Sequence, residues 1–211
     1  MGNCCESKNN LNENSTFFIP GKTYPIEFSS LKVALGWDSL IDEEYALDSS
    51  VTAINILDGE NEQDKSINIL ESVCFSNPEG LNETVKLYKE NYNNDKEVII
   101  VKLDQIPEEA TCLVIAINNF KEKPISETTN GYIKLYELPS KKEFGVYHLK
   151  DIKNCGLLFG LLQKDKTNGK WYFECIASPL EGNTIQNSYE SLKKIIKEYL
   201  VNKTNANANN K

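Results

Sequence analysis

Arginine is absent from this chain: all 23 basic residues are lysines, set against 31 acidic residues for a formal net charge of -8. Arginine carries the planar fork that grips phosphates and guanine edges, so its absence under an acidic balance argues against nucleic acid as a partner. Histidine occurs once, at His148. In the run Val146-Tyr147-His148-Leu149 it reads as structural. The six cysteines include Cys74, Cys112, Cys155 and Cys175, each beside apolar residues and none at zinc-knuckle spacing, which argues against a zinc enzyme. No apolar run reaches the ~20 residues of a membrane-spanning helix, and no signal-peptide core follows Met1. The chain is expected on the cytosolic side of a membrane, with its cysteines as thiols. Phosphate-cradling glycine loops, a nucleophile elbow and Cys-His pairs are missing too. The reading is therefore a binding protein and not an enzyme.

What is present has ordinary globular composition: 211 residues, 40% hydrophobic and 26% charged, enough for one well-buried core. The organising stretch is Leu31 to Leu57. Leu31, Val33 and Leu35 alternate with Lys32 and Ala34, the period of a strand with one buried face. Gly36-Trp37-Asp38 breaks that pattern. A loop with Asp38, Asp42, Glu43, Glu44 and Asp48 follows, and no basic residue lies between them. Such carboxylates either fan out into water or share a cation.

Further strands are predicted at Val51 to Leu57, Ile67 to Phe75, around Val85 and Leu87, Glu97 to Leu103, Thr111 to Ile117, and Gly131 to Tyr136. Thr111 to Ile117 is almost continuously apolar and is expected to be buried on both faces, with Asn118-Asn119 stopping it. Gly156 to Gln163 and Trp171 to Ile176 flank Asn168-Gly169, a hairpin signal. Pro20 and Pro25 lack the donor a central strand needs, which puts them at an edge. Short strands at this spacing predict an all-β fold, an antiparallel β-sandwich of two sheets. From Ser188 to Val201 the spacing of Tyr189, Leu192, Ile195, Ile196, Tyr199 and Leu200 predicts one C-terminal α-helix packed on the sandwich.

Met1-Gly2-Asn3-Cys4-Cys5 reads as a dual-acylation signal, with myristate on Gly2 and palmitate on Cys4 and Cys5. One acyl chain holds a protein only marginally, and the thiols supply the second. Glu6 stands where the usual pattern has Ser or Thr. Residues 1–16 are expected to form a flexible lipidated tether, 17–201 the sandwich, and the Asn-rich 202–211 a disordered tail.

LKVALGWD, and ALDSS running into an apolar strand, resemble the opening of the TerD (tellurium resistance, stress response) domain family. Gly131 to Tyr136 is similar to a later family strand, Ser76 to Gly80 to the turn after its third strand, and Gly160, Gly169, Trp171 and Phe173 to its closing hairpin. The resemblance implies a calcium-binding β-sandwich. Carried over by position, it implies Ca2+ ligands at Asp38, Asp48, Glu90, Asn91, Asp95 and Glu97. Ala46, Lys89 and Lys96 replace family residues, so the site is expected to be weakened, with Asn118 or backbone carbonyls filling it out. The resulting expectation is a membrane-anchored calcium-binding module with a stress-response or scaffolding role. The alternative is a lipid-anchored β-sandwich that has lost the metal and binds an unidentified protein.

Overall fold

Twelve strands pair into two antiparallel sheets of six, seen in a computed structural model that describes residues 16–38, 46–57, 59–60, 64–92, 95–165 and 167–208. The strands are β1 (Thr23–Ile26), β2 (Ser30–Asp38), β3 (Leu47–Leu57), β4 (Ser66–Val73), β5 (Glu79–Gly80), β6 (Val85–Tyr92), β7 (Asp95–Lys102), β8 (Cys112–Asn119), β9 (Thr129–Leu138), β10 (Glu143–His148), β11 (Gly156–Lys164) and β12 (Trp171–Leu180). The first sheet has the order β1-β12-β11-β8-β3-β4 and the second β10-β9-β2-β7-β6-β5. β1, which holds Pro25, is an edge strand bonded to β12 alone, so the missing proline donor costs no ladder bond.

The two-residue period divides each strand between faces. Leu31, Val33 and Leu35 of β2 meet Leu113, Ile115 and Ile117 of β8, together with Phe159 and Phe173, in the layer between the sheets. The other face of β8, through Cys112, Val114 and Ala116, joins Leu158 and Leu161 in a second apolar layer with Leu192 and Ile196. Those last two belong to helix α1 (Tyr189–Ala208), which closes the first sheet from outside. Hence β8 is buried along its whole length, as its unbroken apolar run predicts. Each of Leu113, Val114, Ile115 and Ile117, fully buried there, contributes about 1.5–3 kcal/mol. Gly160 on β11 is required by close approach, since a Cβ there would sit 2.4 Å from the Phe173 ring. Cys74, Cys112, Cys155 and Cys175 are free thiols, and burial raises the Cys112 thiol and pushes Cys175 up to about 12.

Three boundaries differ from the sequence reading. Gly36-Trp37-Asp38 remains in β2, accommodated by register slips against both neighbours. Asn118 and Asn119 end β8 from within and are buried, because nearby turns accept from their amide nitrogens: Asn118 Nδ2 donates to the Gly182 carbonyl at 2.8 Å and Asn119 Nδ2 to that of Lys123 at 3.0 Å. Helix α1 runs on through Asn202 to Ala208, where a disordered tail was expected. Lys203 Nζ lies 2.9 Å from both oxygens of the buried Glu174 carboxylate, and Thr204 Oγ1 donates to the Leu200 carbonyl.

Candidate functional site

At one end of the sandwich β2 finishes at Asp38 while β3 and β7 begin, so the acids singled out from the sequence enter the structure close together. A bulge sorts them. Leu35 pairs with Glu97, but Gly36 pairs with Asp95, so two residues of β7 oppose one of β2. Asp95 and Glu97, two apart, would otherwise share a face.

Glu97 reaches across to the other sheet. Its Oε2 accepts from the Ser49 backbone N–H at 2.7 Å and from Ser49 Oγ at 2.9 Å. Asp95 turns to its own sheet instead, where Oδ2 accepts from Lys32 Nζ at 2.9 Å and Oδ1 from the Tyr132 hydroxyl at 2.9 Å. Lys32 and Tyr132 alternate with the core residues Leu31, Val33 and Ile133, which places Asp95 on the outer face. Asp38 is exposed, and its Oδ2 accepts from Asn130 Nδ2 at 2.6 Å. Burial raises the Tyr132 hydroxyl, and the negative charge and hydrogen bond of Asp95 raise it further.

Asp48, at the start of β3, is the acid whose charge acts on Glu97, although strand alternation turns it to the face opposite Leu47 and Ser49, beside Ser50 and Asn118. Burial pushes Glu97 up to about 7; the Ser49 backbone bond opposes this, the Asp48 charge adds to it, and Lys89 works against it. Asp48 is also raised by burial and lowered by Lys89. The Lys89 ammonium sits 4.2 Å over the Phe75 ring.

Of the sequence-predicted ligands, then, Asp48 and Glu97 are near enough for their charges to act on one another but lie on opposite faces of β3, while Asp38 and Asp95 lie with Lys32, Tyr132 and Asn130 on the outer face of the second sheet. Glu90 and Asn91 are on β6, and their side chains lie outside the described residues. Asp42, Glu43 and Glu44, and the acylation residues Gly2, Cys4 and Cys5, also lie outside them. Among the described residues no group of three or more His, Cys, Asp or Glu side chains is arranged to hold a metal. Calcium takes six to eight oxygens around one point. Carboxylates facing apart in this way, one of them bonded to an ammonium, do not fit as one such set. Sequence reasoning missed Lys32, Ser49, Asn130 and Tyr132. The alternation of β2 marks Lys32 as outward-facing, but nothing local marks it as the partner of Asp95.

A model of the TerD domain matches residues 22–190. Among solved structures, the chain is similar to a homologue of telluride resistance protein (TerD) from Streptomyces coelicolor A3(2), with 12% identity and a TM-score of 0.61 over 75% of this chain and 94% of that one. A protein of unknown function aligns with 14% identity and a TM-score of 0.60, again over 75% of this chain and 94% of the other. At this identity the likeness is one of fold. No curated protein matches.

Proposed function

This chain belongs to the TerD domain family, and we propose that it works as a lipid-anchored binding module of the stress-response or tellurium-resistance class, engaging a protein partner without a shared calcium centre. The observation that carries this reading is the division of the tip acids: Asp95 already holds Lys32 and Tyr132, and Glu97 already holds Ser49. Bringing both to one ion would break bonds that each side has made. The anchor is supported by Gly2, Cys4 and Cys5, since two acyl chains give stable residence on the cytoplasmic face where one does not.

Calorimetric titration with calcium tests the metal half. Absence of heat up to millimolar ion, with an unchanged melting temperature, is the expected result. A second reading, calcium near Asp48 and Glu97, is favoured by the repulsion between their charges. It requires saturable heat that Asp48→Asn abolishes and Asp95→Asn leaves intact. Membrane fractionation tests the anchor: Gly2→Ala and the double Cys4→Ser, Cys5→Ser variant should move to the soluble fraction, and equal membrane content in all three proteins would refute it.

A further inference from the structure

We propose that β4 is an association edge, on which a second copy of this chain pairs antiparallel across a two-fold axis at Asn68 and joins the first sheets of both copies into one. This goes beyond the function above and depends on neither its lipid nor its calcium reading. An open sheet edge is a template for another strand, and the other edges of this molecule are blunted. β1 carries Pro25. The outer side of β10 is taken by the entering chain, where Phe18 N–H donates to the Val146 carbonyl and Val146 N–H to that of Thr16, both at 2.9 Å. β5 is two residues long, and past it β6 is charged and bulges between Lys89 and Tyr92. β4, at the end of the first sheet, has eight residues and pairs with β3 alone.

The open groups are fixed by β3. Thr111 Oγ1, just before β8, accepts from Ile56 N–H at 2.8 Å and donates to the Ile54 carbonyl at 3.4 Å. Ile54 and Ile56 therefore turn their backbone groups away from β4, where their partners are Ile69 and Ile67. In an antiparallel ladder these are the non-hydrogen-bonded pairs, so the N–H and C=O of Ile67 and Ile69 point out of the sheet. Among the described residues nothing bonds to them there. The extra residue Leu70 ends the open run, and beyond it the Ser72 carbonyl is already taken by Asn77 Nδ2 at 3.0 Å.

What remains is complementary to itself. A two-fold axis at Asn68 sets Ile67 of each copy against Ile69 of the other, so each pair exchanges both N–H···O bonds and every open group of the run is used. The same register sets Lys65 across from Glu71, opposite charges on facing strands. From Ser66 to Leu70 the strand is uncharged, so a chain of net charge -8 meets its copy where like charges do not face. Leu70, an apolar side chain 41% exposed, lies at this edge. Two-fold pairing uses β4 of both copies, so assembly closes at the dimer.

The test is sedimentation equilibrium of the unacylated full chain under reductant, from micromolar to millimolar concentration, with amide hydrogen exchange read at each concentration. So small an interface should give a weak dimer and no larger species, with protection at the Ile67 and Ile69 amides that grows with concentration. Asn68 is exposed and meets itself at the axis. Asn68→Lys and Asn68→Asp, which each oppose two like charges there, should weaken association about fivefold or more, and an equimolar mixture of the two should restore it as a heterodimer. Ile69→Pro removes a donor that β3 does not use and should abolish the dimer; the two Asn68 variants decide the matter even where that variant fails to fold. The proposal is overturned if the chain stays monomeric to millimolar concentration, if dimers form without protection at Ile67 and Ile69, if either Asn68 variant associates as the wild type does, or if mixing them restores nothing. Neither calcium nor lipid enters these outcomes, so either proposal can fail alone.

Discussion

The two sheets have the same number of strands and opposite exteriors. Outside the first sheet lies a second apolar layer under α1. Outside the second lies a polar ladder: Lys134 Nζ is 3.0 Å from Glu143, Lys86 is 2.8 Å from Glu79, and Lys32 and Lys134 lie over the Tyr136 and Tyr132 rings at 5.3 and 5.1 Å. The tip acids follow the same divide. Glu97 belongs to the layer between the sheets, whereas Asp95, equally buried, belongs to the polar outer face, with the exposed Asp38 beside it and Asp48 half-buried. The carboxylates of the outer face are balanced by lysine, tyrosine and asparagine, whereas Glu97 of the inner face is held by Ser49 alone among its hydrogen-bond partners in the described residues and is shifted toward its neutral form by burial.

The strongest way to break this contrast is at the helix. Leu192 is fully buried against the first sheet, so Leu192→Ala should cost about 3–5 kcal/mol in denaturant unfolding. A cost below about 1 kcal/mol would mean that α1 does not seal that face. Next comes pH. The folded-state value for Glu97 is about 7 against an ordinary 4.5, so between those values the folded protein keeps a proton that the unfolded chain releases. The contribution is therefore full below pH 4.5 and is lost as pH rises toward 7, by at most about 3 kcal/mol. Glu97→Gln keeps an acceptor for Ser49 and removes the titration. Its stability should fall less than that of the wild type across the window, and parallel curves would show that Glu97 is not the group responsible.

Asp95→Asn should cost about 1–2 kcal/mol, since it weakens the bond from Lys32 while leaving a partner for Tyr132. Lys134→Ala, on the ladder of the second sheet, should cost less than about 1 kcal/mol. If Lys134 proved as costly as Leu192, the distinction between a sealed and a wetted face would collapse.

The strands were readable because side-chain period and apolar content are local. The run Thr111 to Ile117 announced a strand covered on both sides, and the period of Leu192, Ile195 and Ile196 announced the helix that covers it. Asn118 and Asn119 were read as a stop because polar amides at a strand end usually meet water; their buried partners, the Gly182 and Lys123 carbonyls, come from turns that the local sequence does not place beside them. The tail from Asn202 looked too polar to fold, yet Lys203 finds Glu174 on β12, and that pairing exists only once the helix has docked. Of the site, the acids were identifiable by type and spacing, and their partners Ser49 and Lys32 were not.

The sequence by itself determined the class of fold, the family, and which strand lies at the centre, because each follows from patterns carried within short stretches of chain. Tertiary structure alone decided which way the tip acids point. Asp95 and Glu97 should share a face by their spacing, and a bulge opposite Leu35 and Gly36 turns one inward and the other outward. A bulge is a property of two paired strands distant in sequence, so no reading of β7 alone contains it.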